Sequence, residues 1–225
     1  MEHLFGTDEL GRDLFSQVIY GVRIAFQNGL FSLGLSIGMG IFFVIAALYF
    51  GKRVAETIMY ICELFKRFPA LSFLLPISIA TLLDPSNKTT IIAISAAWWP
   101  WYTIMIKKKV DILNEQRIAK VTHSLDFSLW KVIFKQISSS TVTYIIAKVI
   151  IDMGTMILMI AALGFIGLGA QPPELEWGLL LHIGREYLLS SWWYFTFPGL
   201  FILITVSALS FFGKGLKEYA KIKIE

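Results

Sequence analysis

The chain contains few of the residues from which catalytic and metal sites are usually built. Its 225 residues include one cysteine and three histidines, and 16% of them are charged. A single cysteine excludes a disulfide within the chain and a cysteine-rich metal site, so we expect Cys62 to be a small buried residue. The histidines fall in three separate polar segments, which excludes a three-histidine metal site. We therefore expect no metal site and no redox chemistry.

The sequence motifs of common enzymes and pumps are also missing. There is no G-x-x-x-x-G-K-[ST] phosphate loop, no H-E-x-x-H and no G-x-S-x-G. The N-terminal segment lacks the basic stretch and apolar core of a signal peptide. The basic residues are spread over several segments instead of forming one patch, which argues against nucleic-acid binding. The sequence thus indicates no catalysis.

Apolar residues dominate the chain instead. Hydrophobic residues make up 56% of it, and the mean hydropathy is +0.67. These residues form runs close to the roughly 20 that a helix needs to cross about 30 Å of hydrocarbon, and they do not alternate as barrel strands do. We predict an all-α polytopic membrane protein with five spans, at residues 26–50, 68–83, 91–106, 144–169 and 192–212.

Two of these predicted spans contain prolines that bear on their shape. We expect the second helix to start before Lys66 and to be kinked at Pro69 and Pro76. In the third span, the W-W-P-W stretch at 98–101 fits either an interfacial aromatic belt or packing around a kink at Pro100, and we favour packing.

The lysines and arginines are distributed unevenly about the five predicted spans. Of the 20 in the chain, 15 fall on one side, 4 on the other and one, Lys148, within a span. Because cytoplasmic loops carry the excess of basic residues, this count places the N-terminus outside the cell and the C-terminus in the cytoplasm. A polar, basic segment at 107–140 then lies in the cytoplasm, and its apolar residues recur at helical spacing.

Two charges lie inside the fourth predicted span. Lys148 and Asp152 are four residues apart and therefore able to pair on one helix face. Either charge alone at the middle of the bilayer would cost about 2.5–3.5 kcal/mol, so an unpaired position facing lipid is disfavoured. Two interpretations stay open at this stage: a polar point on a translocation path, and a structural ion pair.

The fourth span ends in an unusual segment, "LGFIGLGAQPPELEWG" at 163–178. Its glycines permit close helix packing and a helix exit, and Pro172 and Pro173 prevent the helix from continuing. We expect Trp177 to lie near the outer membrane interface.

Four segments resemble, in order and spacing, the C-type permease of dipeptide, oligopeptide and nickel ABC importers. They are "FGTDELGRDLFSQVIYGVRIAF" at 5–26, the segment at 163–178, "WWYFTFPGLFILITVSAL" at 192–209 and "FFGKGLKEYA" at 211–220. The first two carry the long patterns G-T-D-x-x-G-R-D and I-G-L-G-x-Q-P-P with E-W-G. The residues that match this outer motif are Gly6, Thr7, Asp8, Gly11, Arg12, Asp13, Gly167, Gly169, Gln171, Pro172, Pro173, Trp177 and Gly178.

The resemblance implies a type I ABC importer transmembrane domain in the cell membrane. Residues 1–25 would be an extracytoplasmic segment and 26–225 the permease domain, with a cytoplasmic coupling loop at 107–140. The implied partners are a homologous B-type permease, two ATPase subunits and an extracytoplasmic binding protein. The chain itself would hold no cofactor, because ATP and Mg²⁺ belong to the ATPase subunits. The implied substrates are peptides or nickel and other metal chelates.

The coupling loop departs from the family pattern of E-A-A, three residues, G and then I-x-L-P. Lys120, Val121 and Thr122 replace E-A-A, Asp126 replaces the glycine, Ile137 is kept and Ser139 replaces the proline. A short helix of this loop fits a groove on an ATPase in the family, so the ATPase here is either altered to match or poorly coupled. The alternative to an importer is therefore a non-transporting or regulatory remnant.

The chain also has one span fewer than the six that the family usually carries, because the first is absent before the G-T-D segment. Either the start of the protein lies upstream, which we favour, or this is a variant with five spans.

Overall fold

Residues 4–120 and 139–222 are described by a computed structural model, and they are predominantly helical. This confirms the all-α prediction. Within the described residues the chain forms seven α-helices and one short 3₁₀ helix, Arg185–Tyr187. The α-helices are α1 Leu14–Tyr49, α2 Lys52–Arg67, α3 Leu71–Leu82, α4 Asn87–Lys120, α5 Ser139–Phe165, α6 Trp177–Gly184 and α7 Trp193–Ile222.

Three helical stretches in the described part of the chain are long and apolar enough to cross a membrane: Leu14–Tyr49, Ile145–Phe165 and Trp193–Tyr219. They correspond to the first, fourth and fifth predicted spans, although α1 begins well before the predicted start at residue 26. The second predicted span corresponds to α3, which has only 12 residues. The third lies within α4. The count of five spans therefore stays a prediction.

The segment around Pro69 is broken instead of kinked. Helix α2 ends at Arg67 and α3 begins at Leu71, so the prediction of one helix running from before Lys66 to residue 83 is wrong. Proline lacks an N–H group and drives the residue before it away from helical angles. Phe68 accordingly has φ −121° and ψ 77°. Of these two prolines, only Pro76 lies inside a helix.

The core is arranged along α1. One cluster of buried apolar residues joins α1 to α5, α6 and α7, and includes Leu14, Val18 and Trp177. A second joins α1 to α4 and α5. A third joins α1 to α2 and α4, and contains Cys62, which is fully buried as predicted.

The tryptophans of α4 are packing residues. The ring of Trp99 lies 4.0 Å from that of Phe43, centroid to centroid, and is buried in the third cluster. The indole N–H of Trp101 donates to the hydroxyl of Ser72 at 3.3 Å. These contacts confirm the packing interpretation and fix α4 against α1 and α3.

The end of α5 is set by a glycine. Gly167 has φ +86°, which residues with a side chain adopt only at a cost. Its N–H donates to the carbonyl of Gly164, and the N–H of Leu168 donates to the carbonyl of Leu163, both at 2.9 Å. This is the Schellman arrangement that ends many helices. The helix has therefore ended before Pro172 and Pro173, which lie in the segment that follows.

Helix α6 turns back into the bundle and packs closely on the end of α5. A Cβ atom added at Gly178 would lie 2.4 Å from the carbonyl oxygen of Ala161, and one added at Gly164 would lie 3.0 Å from the Cα atom of Gly178. Only residues without a side chain allow the two backbones to approach this far.

This contact predicts that Gly178→Ala destabilises the protein. Because the added methyl group meets backbone atoms, no side-chain rotation relieves the clash, and overpacking of this kind costs about 1–3 kcal/mol. We expect a lower midpoint of thermal unfolding in detergent. Gly34→Ala is the matched control, since a Cβ there meets no atom within 4 Å. Equal midpoints for the two variants would contradict the described packing.

Candidate functional site

The G-T-D-x-x-G-R-D motif forms a tight loop that leads into α1. Thr7 and Asp13 face each other in a β-bridge, and the N–H of Leu14 donates to the carbonyl of Gly6 at 3.1 Å. Gly6 and Gly11 both have positive φ angles. The carboxylate of Asp13 accepts from the N–H of Ser16 at 2.8 Å and so caps the helix.

Asp8 is the centre of this loop. Its buried carboxylate accepts hydrogen bonds from the N–H groups of Leu10 and Arg12, from the Arg12 guanidinium at 2.6 Å and from the Gln17 amide at 2.6 Å. Burial by itself would raise the pKa of Asp8, but these hydrogen bonds outweigh it and hold the pKa below its ordinary value. Asp8 is therefore a structural anion that fixes the loop.

The loop is attached to the start of α7. The indole N–H of Trp193 donates to the carbonyl of Thr7 at 3.3 Å, and its ring leaves no room for a side chain at Gly6. The ring of Phe5 stacks on Phe197 with centroids 3.8 Å apart. The first and third segments of the resemblance thus meet here.

The second segment joins them through Trp177, the first residue of α6. Its side chain is fully buried, its ring lies against Gly21, and its indole N–H donates to the carbonyl of Val18 at 2.9 Å. Trp177 is buried because α6 re-enters the bundle. Its position near the outer membrane interface stays a prediction. The residues of Phe5–Val18, 163–178 and the start of α7 together form what we call the motif end of the bundle.

Glu176 was not singled out in the sequence, although it lies next to Trp177. It is almost fully buried and accepts from the N–H groups of Gly178 and Leu179, at 2.9 and 3.1 Å, as the cap of α6. Burial raises the pKa of Glu176 to about 7, although these two hydrogen bonds act in the opposite direction. Glu176 is the acidic residue of the E-W-G pattern, and it directly precedes an apolar stretch.

Other polar residues of the motif end satisfy backbone groups. The side-chain amide of Gln171 donates to the carbonyl of Gly169 at 3.2 Å. The Nδ1 atom of His182 donates to the carbonyl of Phe165 at 2.9 Å and so caps the end of α5. These contacts hold the turn between α5 and α6 in place.

Lys148 and Asp152 form the predicted ion pair within the fourth span, and a third residue joins them. The ammonium of Lys148 contacts both carboxylate oxygens of Asp152. The hydroxyl of Tyr102, on α4, donates to Asp152 at 2.6 Å. The Asp152 side chain is 7% exposed and that of Lys148 39%. The triad of Tyr102, Lys148 and Asp152 therefore links α4 to α5, a contact that the spacing within α5 could not reveal.

The candidate residues thus fall into separate regions. Asp152 is about 20 Å along α5 from the motif end, judged by the helical rise. Of the coupling-loop residues, Lys120 is the last of α4 and Ser139 the first of α5. Val121, Thr122, Asp126 and Ile137 lie outside the described residues.

Comparison with known proteins connects these regions to one family. The model of the family described as the binding-protein-dependent transport system inner membrane component matches residues 34–223. The chain belongs to this family. It is therefore a membrane-embedded permease subunit of an ABC importer and not itself an enzyme, because separate subunits of these importers hydrolyse ATP.

Individual relatives cover almost the whole chain. A dipeptide transport system permease of Alkalihalophilus pseudofirmus is 35% identical over 217 residues, which are 96% of this chain and 71% of that protein. A probable D,D-dipeptide transport system permease of Escherichia coli K12 is 34% identical over 216 residues, 96% of this chain and 72% of its own length. A glutathione transport system permease of another E. coli strain is 31% identical over 225 residues, 100% of this chain and 74% of that one.

The buried carboxyl group of Glu176 makes the stability of the permease depend on pH. Its pKa is raised from 4.5 to about 7 on folding, so the stability it contributes is complete below pH 4.5 and is lost as the pH rises through 7. At about 1.4 kcal/mol per pKa unit, the loss is on the order of 3 kcal/mol. Glu176→Gln should flatten the fall in unfolding midpoint between pH 5 and 8. The control Glu186→Gln, at an exposed residue, should retain the fall. A Glu176→Gln variant whose midpoint falls as steeply as that of the wild type would contradict the burial of Glu176.

The triad predicts unequal effects of removing its two charges. Lys148→Ala leaves a buried carboxylate, whereas Asp152→Ala leaves a partly exposed ammonium whose long side chain can reach a polar region. Removing one partner of a buried pair costs about 3–5 kcal/mol, and exposure reduces that cost for Asp152→Ala. Lys148→Ala should therefore be the more destabilising change.

A double-mutant cycle measures whether the two charges are coupled. Lys148→Ala with Asp152→Ala should destabilise the permease less than the two single changes added together, by about 0.5–3 kcal/mol. Tyr102→Phe, which keeps the ion pair, should cost less than Lys148→Ala. Strict additivity of the two charge removals in thermal unfolding would rule the pair out.

Proposed function

We propose that this permease moves peptides from an extracytoplasmic binding protein into the cytoplasm. The observation that carries the proposal is the match of the whole chain to relatives named as dipeptide, D,D-dipeptide and glutathione permeases. Transport of nickel or another metal chelate, which the resemblance also implied, has no support in these names and stays a prediction.

The proposed assembly is a heterodimer with a B-type permease in the lipid bilayer, two ATPase subunits below it and a binding protein above it. ATP and Mg²⁺ would be held by the ATPase subunits. The proposed orientation places the N-terminus outside and the C-terminus in the cytoplasm, as the lysine and arginine count predicts. The motif end would then face the binding protein, and the segment at 107–140, which includes the last residues of α4, would face the ATPase.

The triad supports a mechanical connection between the side that faces the binding protein and the side that faces the ATPase. Helices α4 and α5 lead into and out of residues 121–138, where the proposed ATPase contacts Val121, Thr122, Asp126 and Ile137 lie, with Lys120 and Ser139 at the helix ends. Tyr102 donates to Asp152 across these two helices. Because the link is buried and charge-assisted, α4 and α5 should move as one body when the ATPase subunits close.

The composition and activity of the purified complex test this function. We expect the tagged permease, purified in mild detergent from its own cells, to carry a second permease and two ATPase subunits. Its ATP hydrolysis should rise when the binding protein and a dipeptide are added together, and not with the binding protein alone. Recovery of the chain by itself, or hydrolysis indifferent to peptide, would favour a non-transporting or regulatory subunit instead.

A further inference from the structure

A polar cleft of about 340 Å³ lies between α1, the first residue of α4 and the segment before α6. Tyr20, Arg23 and Gln27 line it from α1, Asn87 from α4, and Glu174 from the segment after the prolines. None of these five residues belongs to the outer motif or to the triad. In the proposed orientation the cleft faces outward.

One wall of the cleft presents a fixed carboxylate. The amide of Asn28, a side chain buried within the bundle, donates to the side-chain oxygen of Asn87 at 2.9 Å. The amide of Asn87 in turn donates to the carboxylate of Glu174. This chain of hydrogen bonds reaches from the interior to the exposed Glu174, so the negative charge is positioned before any ligand arrives.

The other charge in the cleft is the exposed guanidinium of Arg23. Among the residues that the structure describes, it has no hydrogen-bond or ion-pair partner. Arg23 and Glu174 therefore line the same cleft without neutralising each other. A guanidinium binds a carboxylate through two parallel hydrogen bonds, and a carboxylate accepts from an ammonium.

We propose that this cleft binds a short zwitterionic peptide, with Glu174 holding its α-ammonium group and Arg23 its α-carboxylate. The inference rests on the proposed peptide transport and adds a substrate site within the permease itself. Because the charges recognise the ends of the peptide, the site accepts varied side chains and rejects peptides with blocked termini.

The remaining lining fits this ligand. The side chain of Gln27 can donate to or accept from the peptide bond, and Tyr20 offers a ring and a hydroxyl. The two terminal charges of an extended dipeptide are roughly 7 Å apart, judged by the length of backbone per residue. The cleft volume of about 340 Å³ lies within the range for small-molecule sites.

The test is peptide binding to the assembled importer in detergent without its binding protein. We expect radiolabelled dialanine to bind, and unlabelled dialanine to compete for the site. Dialanine amide and N-acetyl-dialanine should each compete about tenfold less well or worse, because each lacks one charge-assisted contact.

Two variants test which residue binds which end of the peptide. Arg23→Gln should weaken dialanine binding by about tenfold or more and abolish the preference over the amide, while the preference over the N-acetyl peptide remains. Glu174→Gln should do the reverse. Lys88→Gln and Glu186→Gln are the matched controls, since each removes an exposed charge outside the cleft, and both should bind as the wild type does.

Several results would overturn the inference, and they are separable from failure of the transport function. If the wild-type importer binds no dialanine alone, yet hydrolyses ATP in response to binding protein and peptide, the cleft is not a peptide site but the transport proposal stands. If Arg23→Gln and Glu174→Gln weaken only the docking of the binding protein, the cleft is a docking surface. If wild-type hydrolysis ignores peptide, the transport proposal itself fails.

Discussion

The polar start of α6 lies inside the apolar core, and burial there is tolerated only because its polar groups have partners. A buried carboxyl group without hydrogen bonds would be costly, and Glu176 avoids that by capping two N–H groups of its own helix. The indole N–H of Trp177 is satisfied by the carbonyl of Val18. The bond of Trp177 requires α1 to pass within reach of this turn, and the close packing of Gly178 on Ala161 brings α5 there as well. The arrangement of the whole motif end depends on that condition.

The sequence could predict features that are set locally, and it could not predict those that are set by contacts between helices. The apolar runs and the turn at Gly167 are local properties, so helices and the end of α5 could be predicted. The break between α2 and α3 was also visible at Pro69, but a kink and a break have the same sequence signal. The early start of α1 was missed because Gln17 and Arg23 lower the local hydropathy, although Asp13 was a readable helix cap.

Some site residues could not be predicted for a different reason. Tyr102 acquires its role from a residue far along the chain. The hydrogen bonds of Glu176 are local, but its burial comes from the packing of α6 against the end of α5. The pairing of Lys148 with Asp152 follows from helical spacing, but the bond from Tyr102 joins residues 50 positions apart. Burial of Trp177 likewise depends on α6 turning back, whereas a tryptophan beside prolines at the end of a span is equally typical of a membrane interface. Each of these features is set by contacts between helices, which the sequence does not show.

Helix α4 connects the two regions proposed to act in transport. Its first residue, Asn87, holds Glu174 in the cleft, and its last, Lys120, borders the coupling residues. With 34 residues it is about 50 Å long. The contact of Tyr102 with Asp152 lies between these ends and ties α4 to α5. A movement of α4 driven from the ATPase side would therefore displace Asn87 from Asn28 and Glu174 together. The carboxylate would then lose its fixed position, and the cleft would hold the α-ammonium group of a peptide less tightly when the importer changes state.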